Sequence, residues 1–257
     1  MPELPDLQVF AKNLNSTFQG KKLLKIKVIN SKKIKDKQSE LSQNLEGNTV
    51  GSIYRTGKEL RFQFANGAVL GMHLMLHGNL YFFEKQNENK FTIVELYFEN
   101  KGMALTDYQA LATVALQPEE KKGIDALSED LNHNYLKSAL QSKAKIKNLI
   151  TNQDVIRGIG NAYADEILWE ARISPFSISS AISENKIIAL EKAIKTVLKN
   201  AEQQILKKSP DIITGEIRDF LKIHTKSKDV SPTGGLIKVD KSGGRITYYT
   251  DEQELFV

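Results

Sequence analysis

Hydrophobic side chains recur at helical spacing directly after the first few residues. Leu7, Phe10, Leu14 and Phe18 lie three or four positions apart, and Gly20 follows where a helix can end. The pattern predicts one amphipathic helix whose apolar stripe packs on the rest of the protein. Such a helix would hold the chain terminus against the body of the molecule.

The next hundred residues have the composition and alternation that are typical of strands. β-prone runs cover residues 24–28, 60–64, 69–76, 80–83 and 91–98, with turn residues between them. The separate short strands predict an antiparallel sandwich or barrel.

Beyond a polar stretch at residues 117–123, the pattern becomes helical. Apolar stripes predict helices at residues 135–141, 145–150, 162–171 and 183–206, and Ser183 can cap the last one. Strand character returns at residues 236–239 and 245–250, around a turn at residues 242–244. The predicted fold class is α+β, with a sandwich domain at 1–116, a linker at 117–133, a helical domain at 134–227 and a hairpin at 228–257.

Composition narrows the class of protein. The 257 residues include no cysteine, which excludes disulfides and thiolate metal sites and fits a reducing compartment. No apolar run approaches the ~18 residues of a membrane span, and the first residues lack a signal-peptide pattern. We therefore expect a soluble cytoplasmic protein without a membrane partner.

The charge favours a polyanionic partner. The formal net charge is +5 and the pI is about 9.1. Lysines cluster at residues 21–22, 32–35, 143–147 and 222–228. Clustered basic residues are typical of proteins that bind nucleic acid, although lysine-rich surfaces also serve solubility alone.

The first three residues, Met1, Pro2 and Glu3, have the groups needed for covalent chemistry. Removal of the initiator methionine would leave the secondary amine of Pro2 at the terminus. An α-amino group has a pKa of roughly 7.7–8.0, so part of it is uncharged near neutral pH and can attack an aldehyde-like carbon. Glu3 could transfer protons in the same step. If Met1 were retained, the Pro2 nitrogen would be an unreactive amide. The alternative without catalysis is that the prolines only stiffen a disordered start of the chain.

A Gly158-Ile159-Gly160-Asn161 turn precedes one of the predicted helices. Glycines let a backbone approach a ligand closely, and N–H groups at a helix start favour phosphate. Asn161 could cap this helix and donate to a phosphate oxygen. By itself such a turn can equally be a tight connection between two helices.

Four segments together resemble the Fpg/Nei family of DNA glycosylases (formamidopyrimidine-DNA glycosylase and endonuclease VIII). They are MPELP at residues 1–5, RTGKEL at 55–60, the stretch 158–168 with Ile173-Ser174-Pro175 after it, and GGRITYY at 243–249. In the family these are the N-terminal catalytic signature, a β-hairpin lysine motif, the helix–two-turn–helix (H2TH) signature and the tip of a zinc-finger hairpin. The resemblance extends from end to end of the chain and implies an N-terminal antiparallel β-sandwich, an H2TH domain and a finger hairpin.

The resemblance also implies roles for individual residues. Pro2 would be the nucleophile, Glu3 the general acid/base, and Lys58 a lysine near the lesion and its phosphates. The implied DNA-binding residues are His73, Lys147, Gly160, Asn161 and Arg245. The implied void-filling residues, which enter the gap left by an extruded base, are Leu76, Gln109 and Leu111. Leu76 and Leu111 could equally be plain core residues.

Three departures from the family pattern bear on function. First, Val230, Thr233, Thr250 and Gln253 stand near the positions of the four zinc cysteines, and none can replace a thiolate. We therefore expect no metal and no other cofactor, and a zincless finger held by strand pairing alone, as in some family members.

The other two departures concern the lesion. Gln109 and Leu111 stand where the formamidopyrimidine branch has Arg and Phe, and glutamine lacks the charge and the fork of arginine. Residues 211–221 form a shorter segment than the glycine-rich loop that covers a flipped purine in that branch. Both put 8-oxoguanine specificity in doubt.

The sequence thus predicts a monomeric base-excision-repair enzyme acting on damaged double-stranded DNA, in the cytoplasm and at the nucleoid of a prokaryote. It would bind duplex DNA in the cleft between its domains, excise damaged bases, and cleave abasic (AP) sites by β,δ-elimination through a Pro2 Schiff base. Two alternatives stay open: an AP-site lyase with weak base excision, and a non-catalytic H2TH nucleic-acid binder. The preferred lesion and opposite base stay open too.

Overall fold

The computed structural model describes residues 1–242 and 244–257, so the predicted turn residue Gly243 lies outside the described residues. Its contacts group residues 1–120 with 205–216, here called the N-terminal unit, and residues 121–204 with 217–257, the C-terminal unit. The division predicted from the sequence placed residues 205–216 in the helical domain. Here they group with the sandwich because Ile213 is part of the sandwich core.

The N-terminal unit is an antiparallel β-sandwich with two helices, which confirms the predicted fold class. Its elements are α1 (Leu4–Phe18), β1 (Lys25–Val28), α2 (Gln38–Leu45), β2 (Val50–Thr56), β3 (Glu59–Phe64), β4 (Val69–His73), β5 (Asn79–Phe83), β6 (Thr92–Tyr97), β7 (Gly102–Thr106) and β8 (Thr113–Leu116). One sheet has the order β1-β6-β7-β5 and the other β2-β3-β4-β8.

One hydrophobic core joins both sheets to α1. The helix contributes Leu7, Phe10 and Leu14, and the strands contribute residues such as Phe62 and Leu105. These five side chains are at most 1% exposed. Burial of a Leu or Phe side chain stabilises a fold by about 1.5–3 kcal/mol, so this stripe fixes α1 on the sandwich.

Four elements of the N-terminal unit, α2, β2, β7 and β8, were not predicted from the sequence. Helix α2 buries only Leu41 and Leu45, which is too short a stripe to define a period. Strand β2 contains a register shift between Val50 and Ser52 that interrupts its alternation. Strand β4 is also shorter than predicted: it ends at His73, because Met75 has a positive φ of 54° that a strand cannot accommodate.

The C-terminal unit is mainly helical. Its elements are β9 (Ile124–Asp125), α3 (His133–Ala139), α4 (Ile146–Ile150), β10 (Ile156–Arg157), α5 (Asn161–Glu170), a 3-10 turn (Ser179–Ala181), α6 (Glu184–Lys208, whose end belongs to the other unit), β11 (Lys238–Asp240) and β12 (Thr247–Tyr249). Strands β9 and β10 pair in parallel, and β11 and β12 form the predicted hairpin. The four predicted helices are present. No helix within the described residues is long and apolar enough to cross a membrane.

The C-terminal hairpin is not held by strand pairing alone, and that expectation is wrong. Within the described residues, strands β11 and β12 share three residue pairs. The carboxylate of Glu252 accepts hydrogen bonds from the Trp169 indole (3.1 Å) and from the Ser231 (2.7 Å), Thr250 (3.1 Å) and Thr233 hydroxyls.

Thr233 and Thr250, two of the four residues that stand near the zinc-cysteine positions of the family, thus donate to a carboxylate. A third, Gln253, donates to the carbonyl of Ile173 (2.9 Å) and accepts from the Thr250 N–H (2.8 Å). The fourth, Val230, is half exposed at 49%. Among residues 1–242 and 244–257, no three His, Asp or Glu side chains cluster in a way that could hold a metal ion.

The Glu252 cluster predicts a pH-dependent stability. The hydrogen bond from Thr233, followed by those from Ser231 and Trp169, lowers the pKa of Glu252 from 4.5 to about 2, against the opposing effect of burial. A depressed pKa in the folded state stabilises the fold fully above the unfolded-state pKa, and this stabilisation is lost as the pH falls from about 4.5 towards 2. Glu252→Gln should therefore lower the Tm at pH 7 and lose its effect near pH 2.

The measurement is thermal unfolding across this pH range, with Glu254→Gln as the matched control, since the Glu254 side chain is 59% exposed. A Tm difference between wild type and Glu252→Gln that is the same at pH 7 and pH 2 would contradict the assignment.

Candidate active site and nucleic-acid interface

The chain terminus is fixed at the start of α1. Pro2 is buried and Glu3 is 5% exposed. Glu3 is the N-cap residue of the helix, and its N–H donates to the Asp6 carboxylate (2.8 Å). Pro5 occupies the first turn, where a proline is tolerated because no helical N–H is needed there. The terminus is thus an ordered part of the sandwich unit and not a disordered start.

A second carboxylate lies at the terminus. The amino group of Met1 forms an ion pair with Glu216, which belongs to the same unit through residues 205–216. Met1 and Glu216 are each about one-third exposed, so the terminus is accessible to solvent while Pro2 beside it is buried. No role for Glu216 was predicted from the sequence, because 215 positions separate the two residues.

Lys58 lies in the two-residue turn between β2 and β3. Gly57 has a φ of 56°, as a tight hairpin turn requires at its first position. Lys58 is only 8% exposed. Arg55, at the end of β2, donates to the Gly57 carbonyl (3.3 Å) and to the Gln8 side chain on α1 (2.9 Å). This arginine ties the turn that contains Lys58 to the helix that begins at the chain terminus.

His73 ends β4 and is half buried. Its Nδ1 accepts a hydrogen bond from the Met75 N–H at 3.1 Å, which supports the positive φ of Met75. In a neutral ring that contact leaves the proton on Nε2, which makes Nε2 a donor. The histidine therefore shapes the β4–β5 turn.

The three predicted void-filling residues lie on two turns of the N-terminal unit. Leu76 is 55% exposed, so it is not a core residue. Gln109 is exposed and Leu111 half buried in the turn after β7. The buried Asp107 carboxylate fixes this turn, because it accepts from the N–H groups of Gln109 (2.9 Å), Leu111 (2.9 Å) and Ala112 (2.8 Å). No feature of the sequence indicated this role of Asp107, on which three backbone contacts depend.

The glycine turn of the C-terminal unit opens α5 as predicted, with one correction. Gly158 has a φ of 104°, which favours glycine. The N-cap is Gly160 and not Asn161, which is the first residue of the helix. The Asn161 side chain instead donates to the Ile246 carbonyl of the hairpin (2.8 Å). One amide N–H of Asn161 therefore links the turn to the hairpin.

Lys147 has a structural contact that the sequence did not indicate. Its ammonium group contacts the Asp165 carboxylate (2.7 Å), the Thr247 hydroxyl (2.8 Å) and the Ile246 carbonyl (3.3 Å). The contacts with Thr247 and Ile246 are hydrogen bonds, and the contact with Asp165 is an ion pair. The positive charge of Lys147 is thus compensated by a buried aspartate, and this weakens the electrostatic attraction between Lys147 and a phosphate.

Asp165 connects the helices to the hairpin. Its side chain is fully buried, and besides Lys147 it contacts the ring of His224 (2.7 Å) and the N–H of Tyr248 (2.9 Å). Asp165 belongs to the H2TH-like stretch, but its position inside the helix gave no sign of these partners. Its contacts bring the predicted residues Lys147 and Arg245 to the same groove, of about 740 Å³, which Lys145 also lines.

Known proteins match this chain along almost its whole length. The family model described as the formamidopyrimidine-DNA glycosylase N-terminal domain matches residues 1–114, and that described as the H2TH domain matches residues 123–209. The formamidopyrimidine-DNA glycosylase of Mycoplasma genitalium is 31% identical over 97% of this chain and 94% of that protein. The enzyme of the same name from Pelotomaculum thermopropionicum is 27% identical, over 97% of both chains.

The structural comparison agrees with the sequence comparison. A crystal structure of Lactococcus lactis Fpg with DNA containing an oxidised pyrimidine has a TM-score of 0.88 and 25% identity, and the match covers 98% of this chain and all of that one. The resemblance drawn from the four motifs is thereby confirmed. This chain belongs to the formamidopyrimidine-DNA glycosylase family of DNA repair enzymes.

Proposed function

We propose that this DNA glycosylase is bifunctional: it excises damaged bases from double-stranded DNA and cleaves the resulting abasic sites through a Schiff base on Pro2. The observation that supports this most is the fixed terminus, where Pro2 and Glu3 are both buried at the start of α1. A nucleophile held in one geometry avoids the entropic cost of capturing its target. The enzyme acts as a monomer, in the cytoplasm and at the nucleoid.

The first step needs the amine of Pro2, exposed by removal of Met1. Its nitrogen attacks the sugar C1′, the bond from C1′ to the base breaks, and the base leaves with a proton. Glu3 transfers the protons that the leaving base and the opening sugar ring need.

Opening of the sugar ring converts the adduct into an iminium ion, which is the Schiff base between the Pro2 nitrogen and C1′. The lyase steps follow from the electronics of this iminium ion. Its positive charge acidifies C2′, so loss of a C2′ proton expels the 3′ phosphate by β-elimination. A second elimination expels the 5′ phosphate, and water releases the sugar fragment from Pro2. Lys58, in the turn tied to α1 by Arg55, provides a positive charge for the phosphates that depart.

DNA binding depends mainly on phosphate contacts, since these position a duplex without reading its sequence. In the C-terminal unit the donors are the exposed Arg245, Asn161 and the backbone N–H groups that follow Gly160. In the N-terminal unit, His73 is the residue that we assign to a phosphate contact. Lys147 contributes mainly by fixing the hairpin through Asp165, Thr247 and Ile246.

A second candidate, an enzyme that prefers abasic sites to damaged bases, is favoured by the segment at residues 211–216. Ile213 is 7% exposed in the sandwich core, and the Thr214 hydroxyl contacts Asn79 (2.9 Å) and the N–H of Leu80 (3.3 Å). A segment anchored in this way has little length left to cover a flipped purine.

The first prediction concerns catalysis. The mature enzyme should cut a duplex with one abasic site and leave phosphates at both ends of the gap, and Glu3→Gln should excise a ring-opened purine roughly 10²–10⁴-fold more slowly, because a general acid/base contributes about that factor. Single-turnover gel assays measure both. Glu99→Gln, at an exposed carboxylate, is the matched control. Equal excision rates for wild type and Glu3→Gln would refute the role of Glu3.

The second prediction separates phosphate contacts from structural ones. Arg245→Ala should weaken binding to all DNA sequences alike and reduce the slope of log K against log salt by about one unit. Lys147→Ala should change that slope less and should lower the Tm, since it leaves Asp165 buried without its cation. Binding titrations at several salt concentrations, with thermal unfolding of each variant, decide this. A sequence-selective loss in Arg245→Ala would mean that this residue contacts base edges.

The third prediction ranks substrates. Abasic sites should be cut first, ring-opened purines, oxidised pyrimidines and hydantoins next, and 8-oxoguanine last, because poorly stacked bases cost less to extrude and a flipped 8-oxoguanine has little cover here. Single-turnover rates on a matched set of duplexes test the order. If 8-oxoguanine opposite cytosine is cut as fast as an abasic site, the interpretation of Gln109, Leu111 and residues 211–216 fails.

A further inference from the structure

An exposed group of aromatic side chains lies on the N-terminal unit beside the void-filling residues. Phe91 is 64% exposed, Tyr108 58% and Tyr81 39%. With His77 they line a cavity of about 360 Å³, here called the aromatic recess. The rings of His77 and Tyr108 pack against each other, with centroids 4.6 Å apart at 43°.

Exposure of these rings is energetically unfavourable, and the backbone adds to the cost. Burial would stabilise an aromatic side chain by about 25 cal/mol for each Å² of apolar surface, and a side chain left in water lacks this stabilisation. Phe91 also has a φ of 59°, a conformation that non-glycine residues rarely adopt. The Asp107 N–H, which donates to the Phe91 carbonyl at 2.9 Å, holds it there. Strain of this kind persists mainly at functional sites.

The recess shares its backbone segments with the void-filling residues. His77 follows Leu76, and Tyr108 precedes Gln109. Asp107, which fixes the turn of Gln109 and Leu111, also anchors Phe91. The turn at Asp107 therefore positions two predicted void-filling residues, Gln109 and Leu111, and two residues of the recess, Tyr108 and Phe91.

The chemistry of the recess fits a nucleobase. Ring faces stack on bases of any sequence, and Lys90 at the rim supplies a positive charge for the strand that carries the base. Thr106 and Asn79 add polar groups to the lining. We propose that the aromatic recess binds one unpaired nucleobase, displaced from the duplex beside the void-filling residues. This rests on the proposed function only in its need for DNA with an interrupted stack.

The test uses 2-aminopurine, a fluorescent base that is quenched by stacking. A duplex carries it opposite a tetrahydrofuran abasic analogue, which the enzyme binds without cutting. Wild type should change the fluorescence and bind a single-stranded 2-aminopurine oligonucleotide. Tyr108→Ala and Phe91→Ala should bind that oligonucleotide roughly 5- to 150-fold more weakly, the range for loss of one aromatic–base stack. Tyr108→Phe, which keeps the ring, should behave as wild type.

Tyr54→Ala is the matched control, because Tyr54 is similarly exposed at 37% but lies on β2 in the other sheet. Wild-type affinity and fluorescence in folded Tyr108→Ala and Phe91→Ala would overturn the proposal, and so would an equal loss in Tyr54→Ala. Cleavage of a natural abasic site is measured on the same wild-type preparation. Cleavage without a fluorescence response refutes the recess alone, and a response without cleavage refutes the proposed lyase while the recess stands.

Discussion

The proposed chemistry depends on the contact that fixes the chain terminus at the start of α1. The Asp6 carboxylate accepts the N–H of Glu3, and the apolar stripe of α1 buries the helix in the sandwich core. A terminus usually frays because few contacts oppose its conformational entropy. Here the fold opposes it with a helix cap and a core, and Arg55 connects the same helix to the turn of Lys58. A terminal amine can therefore serve as a positioned nucleophile.

In the C-terminal unit, buried or partly buried carboxylates hold the hairpin in place, which is the structural role of the metal in zinc-containing fingers. Asp165 contacts Lys147, His224 and the backbone N–H of Tyr248. Glu252 accepts hydrogen bonds from hydroxyl and indole donors and forms an ion pair with the guanidinium of Arg172 (3.1 Å). Such networks stabilise a fold only when all partners are present, since an unpaired buried charge is costly. The hairpin is thus fixed by hydrogen bonds whose donors are distant in sequence.

What the sequence could predict follows from the range of each interaction. Periodicity predicted α1, α5 and α6 because their stripes are local. It missed α2 and β2 because two leucines and a bulged strand define no period. It also missed β8 and β7, and β7 is buried at every position and so shows no alternation. The motifs indicated Pro2, Glu3, Lys58 and Asn161 as site residues. They could not show that Lys147 contacts Asp165 or that Asp107 holds two turns, because each depends on residues brought together only by folding. The start of α5 at Asn161, one residue earlier than predicted, is a local detail of backbone conformation that the motif does not define.

The most direct test of the central claim is chemical trapping of the enzyme on DNA. Mature protein incubated with an abasic-site duplex and sodium borohydride should form a stable covalent complex, because reduction fixes a Schiff base as an amine. Peptide mass spectrometry should then find the sugar remnant on the nitrogen of Pro2, at a terminus that lacks Met1. A remnant on a lysine such as Lys58, or no complex with protein whose terminus is Pro2, would contradict the account.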